Sequence, residues 1–403
     1  MTATAAPRYP VVDGMRGIFL LLMAVSHYEV LAPGFGALSY TWHGYADSAQ
    51  GFVFVSGLTL GIVLSRRMDR HGSAAVARYC RARTWLVWRW HVGTLLFAIA
   101  ASAAATDPQP PLDAAAGHPA ANAVLGALLI HQPNFFGVLP LYVILLLATP
   151  ALLAAMRAGF VLAVLAGSVA LWLAAPVSPF RIVYEVADGF LTGAGVEGRY
   201  YQEFNVLAWQ IVYVAGLVLG HLTAAGRLPL GRIASRNGDL VAAFALAALL
   251  VLAFYRNLGA LDVGALAAME ARIAPYQSKW LMTDLVLFST LIEGYLIAWI
   301  LVRSGRASSR LGRLPWRIGA LPAFRLLGRH SIEVFCTHLL VVFAFGLLAD
   351  ELAVGPNGRS ALYVLGFAAL FGVALFLDAA RRPAAAPSAQ VPEPSRRTVL
   401  TGK

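Results

Sequence analysis

The stretch DGMRGIFLLLMAVSH, residues 13–27, predicts a helix that enters a lipid bilayer and carries ionisable side chains with it. Its unbroken apolar run, residues 18–25, lies between Asp13 and Arg16 at one end and His27 near the other. Ionisable residues are costly within a bilayer, and those that occur there usually have a function. Arg16 and His27 are eleven residues apart, about 16 Å along a helix axis and almost on one face. We therefore predict that both side chains face one internal cavity at different depths.

The composition predicts an all-α, polytopic membrane helix bundle. Hydrophobic residues make up 59% of the 403 residues and charged residues 13%, whereas soluble domains carry about 25% charged residues. Runs such as residues 240–254 have no period of two, which excludes the alternating strands of a membrane barrel. A short apolar stretch, 121–131, is expected to lie in the interface or to re-enter the membrane. Ten longer windows predict ten spanning helices: 13–32, 50–65, 84–105, 137–156, 159–175, 206–223, 238–255, 280–302, 331–349 and 360–379.

The distribution of basic residues predicts the orientation of these helices. Lys and Arg accumulate in cytoplasmic loops of membrane proteins. With the N-terminus inside, 23 of the 31 Lys and Arg residues fall in cytoplasmic segments and 6 fall outside. The remaining two, Arg16 and Arg89, lie within spans. We therefore predict that both termini are cytoplasmic and that the protein is a multi-pass component of a bacterial inner membrane.

The composition of the C-terminal segment, the net charge and the cysteines predict the domain organisation and the kinds of partner. We predict one membrane domain over residues 1–380 and a disordered cytoplasmic tail over 381–403, which is rich in Pro, Ala and Ser. The net charge of +11 indicates attraction to an anionic inner leaflet of the lipid bilayer. Nucleic-acid binding is not expected, because the basic residues are spread over loops without a recognised binding module. Cys80 and Cys336 fall on the cytoplasmic side, where no disulfide is expected.

The outer ends of the first two spans bring a carboxylate towards His27. Asp47 directly precedes the second span, and we place it with His27 in the outer half of the membrane. The carboxylate could hold the imidazole in a useful tautomer and stabilise its protonated form. Asp47 could equally cap the second helix, and the two roles are compatible. His43 and Asp47 are four residues apart, as helical metal ligands can be, but no third ligand follows, so no metal site is predicted.

The third span begins with a run of arginines, in RARTWLVWRWH, residues 81–91. Arg78, Arg81 and Arg83 stand at its cytoplasmic mouth, where they could be orientation anchors only. Arg89 and His91 follow at hydrocarbon depth, where they need polar partners. The remaining candidates for substrate binding are embedded polar or aromatic residues of other spans: Ser56, Tyr142, Trp209, Gln210 and His338.

These segments together resemble the OpgC protein family. The resemblance rests on DGMRG with a histidine at R-x10-H, then YADSAQGFVFVSG, RARTWLVWRWH, VLPLYVILLLATPALL, FNVLAWQIVYVAGLVLG and LLGRHSIEVF, in this order between about residue 8 and about residue 345. Members of that family are integral membrane acyltransferases linked to succinylation of osmoregulated periplasmic glucans. They belong to a wider group of ten-helix transmembrane acyltransferases, and the R-x10-H segment is shared with the acyltransferase-3 family.

The resemblance implies a role for each of these segments. His27 would be the catalytic base, and Arg16 with the arginines of the third span would face acyl-CoA. Tyr142, Trp209 and Gln210 would help to form the cavity. Where the family usually has aspartate-alanine-glutamate, this sequence has Asp47-Ser48-Ala49-Gln50. This difference leaves the identity of the acceptor molecule open.

The expected reaction is transfer of an acyl group, succinyl by resemblance, from cytosolic acyl-CoA to a hydroxyl of a periplasmic carbohydrate. Acyl-CoA is a co-substrate, and no bound cofactor is expected. His27 would take the hydroxyl proton, and Gln210, Tyr142 or Ser56 would donate to the oxyanion. The alternative is a transporter that exports a glycan or a small anion, although no inverted repeat or pair of broken helices indicates one. The oligomeric state, including a homodimer, is left open by the sequence.

Overall fold

The computed structural model describes residues 10–30, 44–108, 118–130, 132, 135–177, 189, 193, 204–228, 230–257, 271–279 and 281–381. Within these ranges the chain is helical and forms no strand. The α-helices are α1 (Pro10–His27), α2 (Ser48–Ala104), α3 (Pro119–Ala127), α4 (Val138–Arg157), α5 (Val161–Ala174), α6 (Val206–Ala224), α7 (Leu230–Ile233), α8 (Arg236–Arg256), α9 (Asp284–Arg306), α10 (Leu314–Gly319), α11 (Pro322–Arg329), α12 (Ser331–Glu351) and α13 (Pro356–Ala380).

The predicted helical membrane bundle is confirmed. Eight of these helices are long and apolar enough to cross a membrane. One of them, α2, contains two of the predicted spans, and a shorter apolar helix covers Val161–Val177. Every predicted span therefore falls on a helix apart from a few residues at its ends, and residues 31, 32 and 280 lie outside the described residues. Large apolar side chains on the outer helices, such as Leu162, Phe244 and Phe376, are more than 70% exposed, as expected for surfaces that face lipid tails.

The chain reverses its direction inside α2 at a single residue. The region 66–83, expected to be a loop, is helical except at Gly72, whose φ of 75° lies in the left-handed region that glycine enters without a Cβ clash. Arg67 lies over the ring of Tyr79, 5.2 Å from its centroid. A continuous helix would separate residues 67 and 79 by about 18 Å. The two spans of α2 are therefore antiparallel helices joined at Gly72.

Paired glycines hold the first half of α2 against α6. Gly57 and Gly61 of α2 face Gly216 and Gly220 of α6, so each helix contributes two glycines four residues apart. A Cβ atom at any of the four positions would lie 2.2–2.3 Å from a backbone oxygen of the other helix. Membrane helices use this spacing of small residues to bring their backbones into contact.

Glycines also bring α1 against α11. A Cβ at Gly14 or Gly17 would lie 1.7 or 2.0 Å from the carbonyl oxygen of Gly319 or Phe324, and one at Gly328 would lie 1.8 Å from that of Asp13. The two glycines that flank Arg16 in sequence therefore serve packing. They allow the start of α1 to lie in backbone contact with the segment that leads into α12.

The C-terminal end of the short helix α3 packs against the second half of α2. Trp88 Nε1 donates to the carbonyl oxygen of Ala127 at 2.9 Å, and His91 Nε2 is hydrogen bonded to that of Gly126 at 3.1 Å. Trp88 and His91 are at least 13 residues, about 20 Å, from the outer end of α2 at Ala104. The C-terminal end of α3 thus lies deep in the bundle. Non-helical backbone is tolerated at that depth only where protein groups satisfy it, as these two side chains do.

The ion pairs agree with the predicted sides of the membrane. Arg157 pairs with Asp69, Arg303 with Asp239, Arg329 with Asp378 and Arg381 with Glu333, all near helix ends predicted to be cytoplasmic. Lys279 pairs with Asp47 and Arg359 with Asp350 towards the predicted outer side. Each of these pairs joins groups assigned to one side, so the fold and the predicted orientation are mutually consistent.

Replacing Gly220 by alanine should destabilise the protein, because the new Cβ would lie 2.3 Å from the Leu58 carbonyl oxygen. Overpacking of this kind typically costs about 1–3 kcal/mol. We expect a lower melting temperature for Gly220→Ala in detergent, measured by size exclusion after heating. Gly372→Ala in α13 is the matched control, since a Cβ there meets nothing within 4 Å. Equal melting temperatures for the two variants would contradict the close contact of α2 and α6.

Cysteine labelling should confirm the orientation. His71 and Ala271 are both exposed and lie on opposite sides by prediction. A membrane-impermeant maleimide added to intact spheroplasts should label Ala271→Cys, and should label His71→Cys only after the membrane is permeabilised. Labelling of His71→Cys in intact spheroplasts would reverse the assignment. The parent protein, with its two buried cysteines, gives the background signal.

Candidate functional site

His27 lies at the end of α1 and makes a direct hydrogen bond to a second histidine. Its Nδ1 is 2.8 Å from Nε2 of His338, and the two ring centroids are 4.9 Å apart. Phe135 packs on His27 at 4.3 Å between centroids, and Phe335 packs edge-on against His338 at 4.7 Å. His338 is 1% exposed, whereas His27 retains partial exposure. The pair is therefore enclosed by aromatic rings but still accessible from the His27 side.

The histidine pair lies part of the way along the helices α12 and α13. His338 is seven residues after Ser331, about 10 Å from the inner end of α12, a helix about 31 Å long. Tyr28, next to His27, packs on Phe367, which is eleven residues from the outer end of α13. The predicted location of His27 in the outer half of the membrane stays a prediction. A reaction at this level would be out of reach of bulk solvent on both sides.

Asp47 caps α2, and its carboxylate is engaged away from His27. It accepts a hydrogen bond from the Ala49 backbone N–H at 2.8 Å, and Gln50 Oε1 accepts one from the Asp47 backbone N–H. The other carboxylate oxygen pairs with Lys279. Among the described residues no hydrogen bond joins Asp47 to His27. Asp47 thus caps α2, as one of the two alternatives predicted. The His27 imidazole bonds to His338 and not to Asp47.

Arg16 lies about 16 Å from His27 along α1, towards the end that is predicted to be cytoplasmic. It donates to the hydroxyl of Ser331, at the start of the same helix α12 that carries His338. The charges of Arg83 and Asp13 and the phenol of Tyr142 all act on Arg16. Within the described ranges Arg16 Nε is buried without a hydrogen-bond partner. Two guanidinium groups, a phenol and the Asp13 carboxylate therefore share one partly buried region with a net positive charge, which suits an anionic ligand.

The other predicted arginines do not join this region. Arg78, Arg81 and Arg89 are all exposed. Arg89 lies over the ring of Trp85, itself 55% exposed, at 6.0 Å from its centroid, and so faces the periphery of the bundle. Of the four arginines predicted at the third span, only Arg83 is brought to Arg16.

His91, Trp209 and Gln210 have structural partners. His91 holds the end of α3, and Trp209 Nε1 donates to the Lys279 carbonyl oxygen at 3.1 Å. The Gln210 amide nitrogen donates to the backbone oxygens of Ser168 and Leu207, while its oxygen accepts from the Ser168 hydroxyl. Both N–H groups of Gln210 are thus used. The expectation that Gln210 donates to an oxyanion is therefore wrong for this arrangement.

Tyr142 and Ser56 remain candidates for contact with substrate. Tyr142 stands between Arg16 and the buried Tyr213, whose hydroxyl is 2.6 Å from that of Thr149. The Ser56 hydroxyl is buried and has no hydrogen-bond partner in the part of the chain that the structure describes. A hydroxyl left in that condition can donate to a ligand oxygen.

Sequence reasoning missed two residues of the site. Phe135 contacts His27 from the segment after α3, and its φ of 76° is a left-handed value rare for a bulky residue. Lys279 pairs with Asp47, and its charge acts on His27. Neither residue lies in a recognisable motif, and each is far in sequence from the residue that it contacts. No cluster of three or more His, Cys, Asp or Glu is found among the described residues, and His43 lies outside them.

Comparison with known proteins gives one family. The family model described as OpgC protein matches residues 8–382, which include every helix of the fold and every residue of the site. No curated protein and no solved structure matches the chain significantly. The matched range covers nearly the entire chain and agrees with the helical membrane bundle described above. The chain therefore belongs to the OpgC protein family, a family of glucan-modifying membrane acyltransferases.

Proposed function

We propose that this protein transfers a succinyl group from cytosolic succinyl-CoA to a hydroxyl of a periplasmic glucan, across a bacterial inner membrane. The observation that carries the proposal is the pair of polar contacts between the parallel helices α1 and α12. Arg16 meets Ser331 near the inner end, and His27 meets His338 near the middle. A cationic region and a basic imidazole are thereby held on one pair of helices at two depths.

The cytoplasmic level supplies the donor site. The phosphates of CoA would lie against Arg16 and Arg83, whose guanidinium groups form charge-assisted hydrogen bonds with phosphate oxygens. The flexible pantetheine arm would extend from there towards the middle of the membrane. Arg16 and His27 are about 16 Å apart along α1, so the thioester would reach the level of the histidine pair only with the arm inserted.

The middle level supplies the chemistry. A glucan hydroxyl enters from the periplasmic side and gives its proton to His27 as its oxygen attacks the thioester carbon. The carbon–sulfur bond then breaks, an ester forms, and the CoA thiolate leaves with the proton that His27 held. The products are an acylated glucan and CoA-SH, and no oxidant or metal is needed. Ser56, whose buried hydroxyl has no partner among the described residues, would donate to the transient oxyanion.

Replacing His27 by alanine should remove most of the transferase activity and leave the protein folded. General-base catalysis contributes on the order of 100- to 10,000-fold to a rate, and no other described base contacts His338. The assay uses purified protein in nanodiscs, succinyl-CoA, and glucans extracted from cells that lack the protein, with mass spectrometry of the glucans. Normal succinylation by His27→Ala would show that His27 is structural, and export without acylation would favour the transporter.

Replacing Arg83 by glutamine should weaken donor binding more than turnover. A phosphate contact far from the reacting carbon stabilises the ground and transition states almost equally, so its loss raises KM and leaves kcat nearly unchanged. Loss of one charge-assisted hydrogen bond should raise the KM for succinyl-CoA about tenfold. Arg70→Gln, an exposed arginine on the same side, is the control. An unchanged KM in Arg83→Gln, measured at low salt, would contradict the donor site.

A further inference from the structure

We infer that His338 is a positioning residue, which holds His27 in the one neutral tautomer that can act as a base towards the acceptor. The inference rests on the proposed function, since it assigns the state of the proposed base. His338 was predicted from the sequence to bind substrate. Its contacts instead join it to His27 on one side and to the backbone of its own helix on the other.

The backbone contacts decide which nitrogen of His338 carries hydrogen. Its Nε2 is the atom that faces His27, at 2.8 Å. The ring also lies against the backbone of its own helix at Val334 and Phe335, four and three residues earlier in α12. At those positions the helix offers carbonyl oxygens, which only accept, so Nδ1 of His338 must donate. A neutral imidazole has one N–H, and the Nε2 of His338 is therefore left with a lone pair.

The state of His27 follows from that of His338. Because His338 Nε2 is an acceptor, His27 Nδ1 must carry the hydrogen in their shared bond. His27 Nε2 then has the lone pair and is the atom free to take a proton. Without a partner the imidazole would divide its population between two tautomers, and only one of them would present the lone pair at this nitrogen.

The surroundings oppose a different arrangement of the two rings. The described contacts of His338 include Phe335 and no carboxylate, so a charged His338 would be costly at this depth. Phe135 lies 4.3 Å from the His27 ring between centroids and restricts its rotation.

The histidine pair can also stabilise the positive charge that forms on His27 during the reaction. When His27 takes the acceptor proton it becomes an imidazolium with N–H groups at both nitrogens. Its Nδ1–H still donates to His338 Nε2, so the new charge keeps a hydrogen-bond acceptor beside it. In serine hydrolases a buried carboxylate has this role. Here a neutral histidine on the neighbouring helix has that role.

Substitutions at His338 with and without an acceptor test the inference. Glutamine can place its amide oxygen near the position of the imidazole Nε2 and accept from His27, whereas leucine fills the space and accepts nothing. We expect His338→Leu to lose at least about tenfold in kcat with an unchanged KM for succinyl-CoA, and His338→Gln to recover most of that loss. His221→Leu is the matched control, because His221 also bonds to a side chain of a neighbouring helix, Ser65, outside the site.

Each outcome of this experiment has a definite meaning. Nanodisc samples that are monodisperse and bind succinyl-CoA normally establish that the variants are folded. If folded His338→Leu turns over at the wild-type rate while His27→Ala is inactive, the positioning role is overturned and the proposed function stands. If glutamine and leucine reduce kcat equally, the acceptor is not what matters, and the inference is also overturned. If the wild-type protein acylates no glucan, the proposed function itself fails.

Discussion

Inside a bilayer a polar side chain has no water to bond with, so it must find its partner within the protein, and this constraint sets the arrangement of the bundle. Arg16 and His27 meet Ser331 and His338, which fixes α1 against α12 at two depths. Gln210 is satisfied entirely by α5 and its own helix. An unpaired buried polar group costs several kcal/mol in hydrocarbon. Sliding one helix by a turn would break several such contacts at once.

Close backbone contact is what allows short polar side chains to reach each other. The paired glycines of α2 and α6 remove the side chains that would hold the helices apart, and those of α1 and α11 do the same at the inner end of the site. Lipid tails are as apolar as leucine, so van der Waals contact between helices, more than a hydrophobic effect, holds them together. The glycines beside Arg16 therefore contribute to the site indirectly, because they place its helix.

In the proposed function, the site divides the reaction between two compartments by depth. A cationic region near the cytoplasm suits the CoA phosphates, and an imidazole pair near the middle suits proton transfer. The segment after α3 carries Phe135 to His27 from the outer side, and Trp88 and His91 hold the deep end of α3. Embedded polar residues here thus fall into two groups. Some line the route between the compartments, and others satisfy irregular backbone that would otherwise be unpaired at this depth.

The sequence by itself determined the class of protein and the position of each span, and it predicted the sidedness and the roles of Arg16 and His27. Those properties depend on local composition and on the geometry of one helix. Only the tertiary structure decided which polar groups are partners, because the decisive contacts join residues 311 and 315 positions apart. Asp47 is close to His27 in sequence yet bonds to Lys279, and Arg89 follows Arg83 by six residues yet faces outwards. A polar residue within a membrane span indicates that a partner is needed, but the packing of the helices determines which residue that partner is.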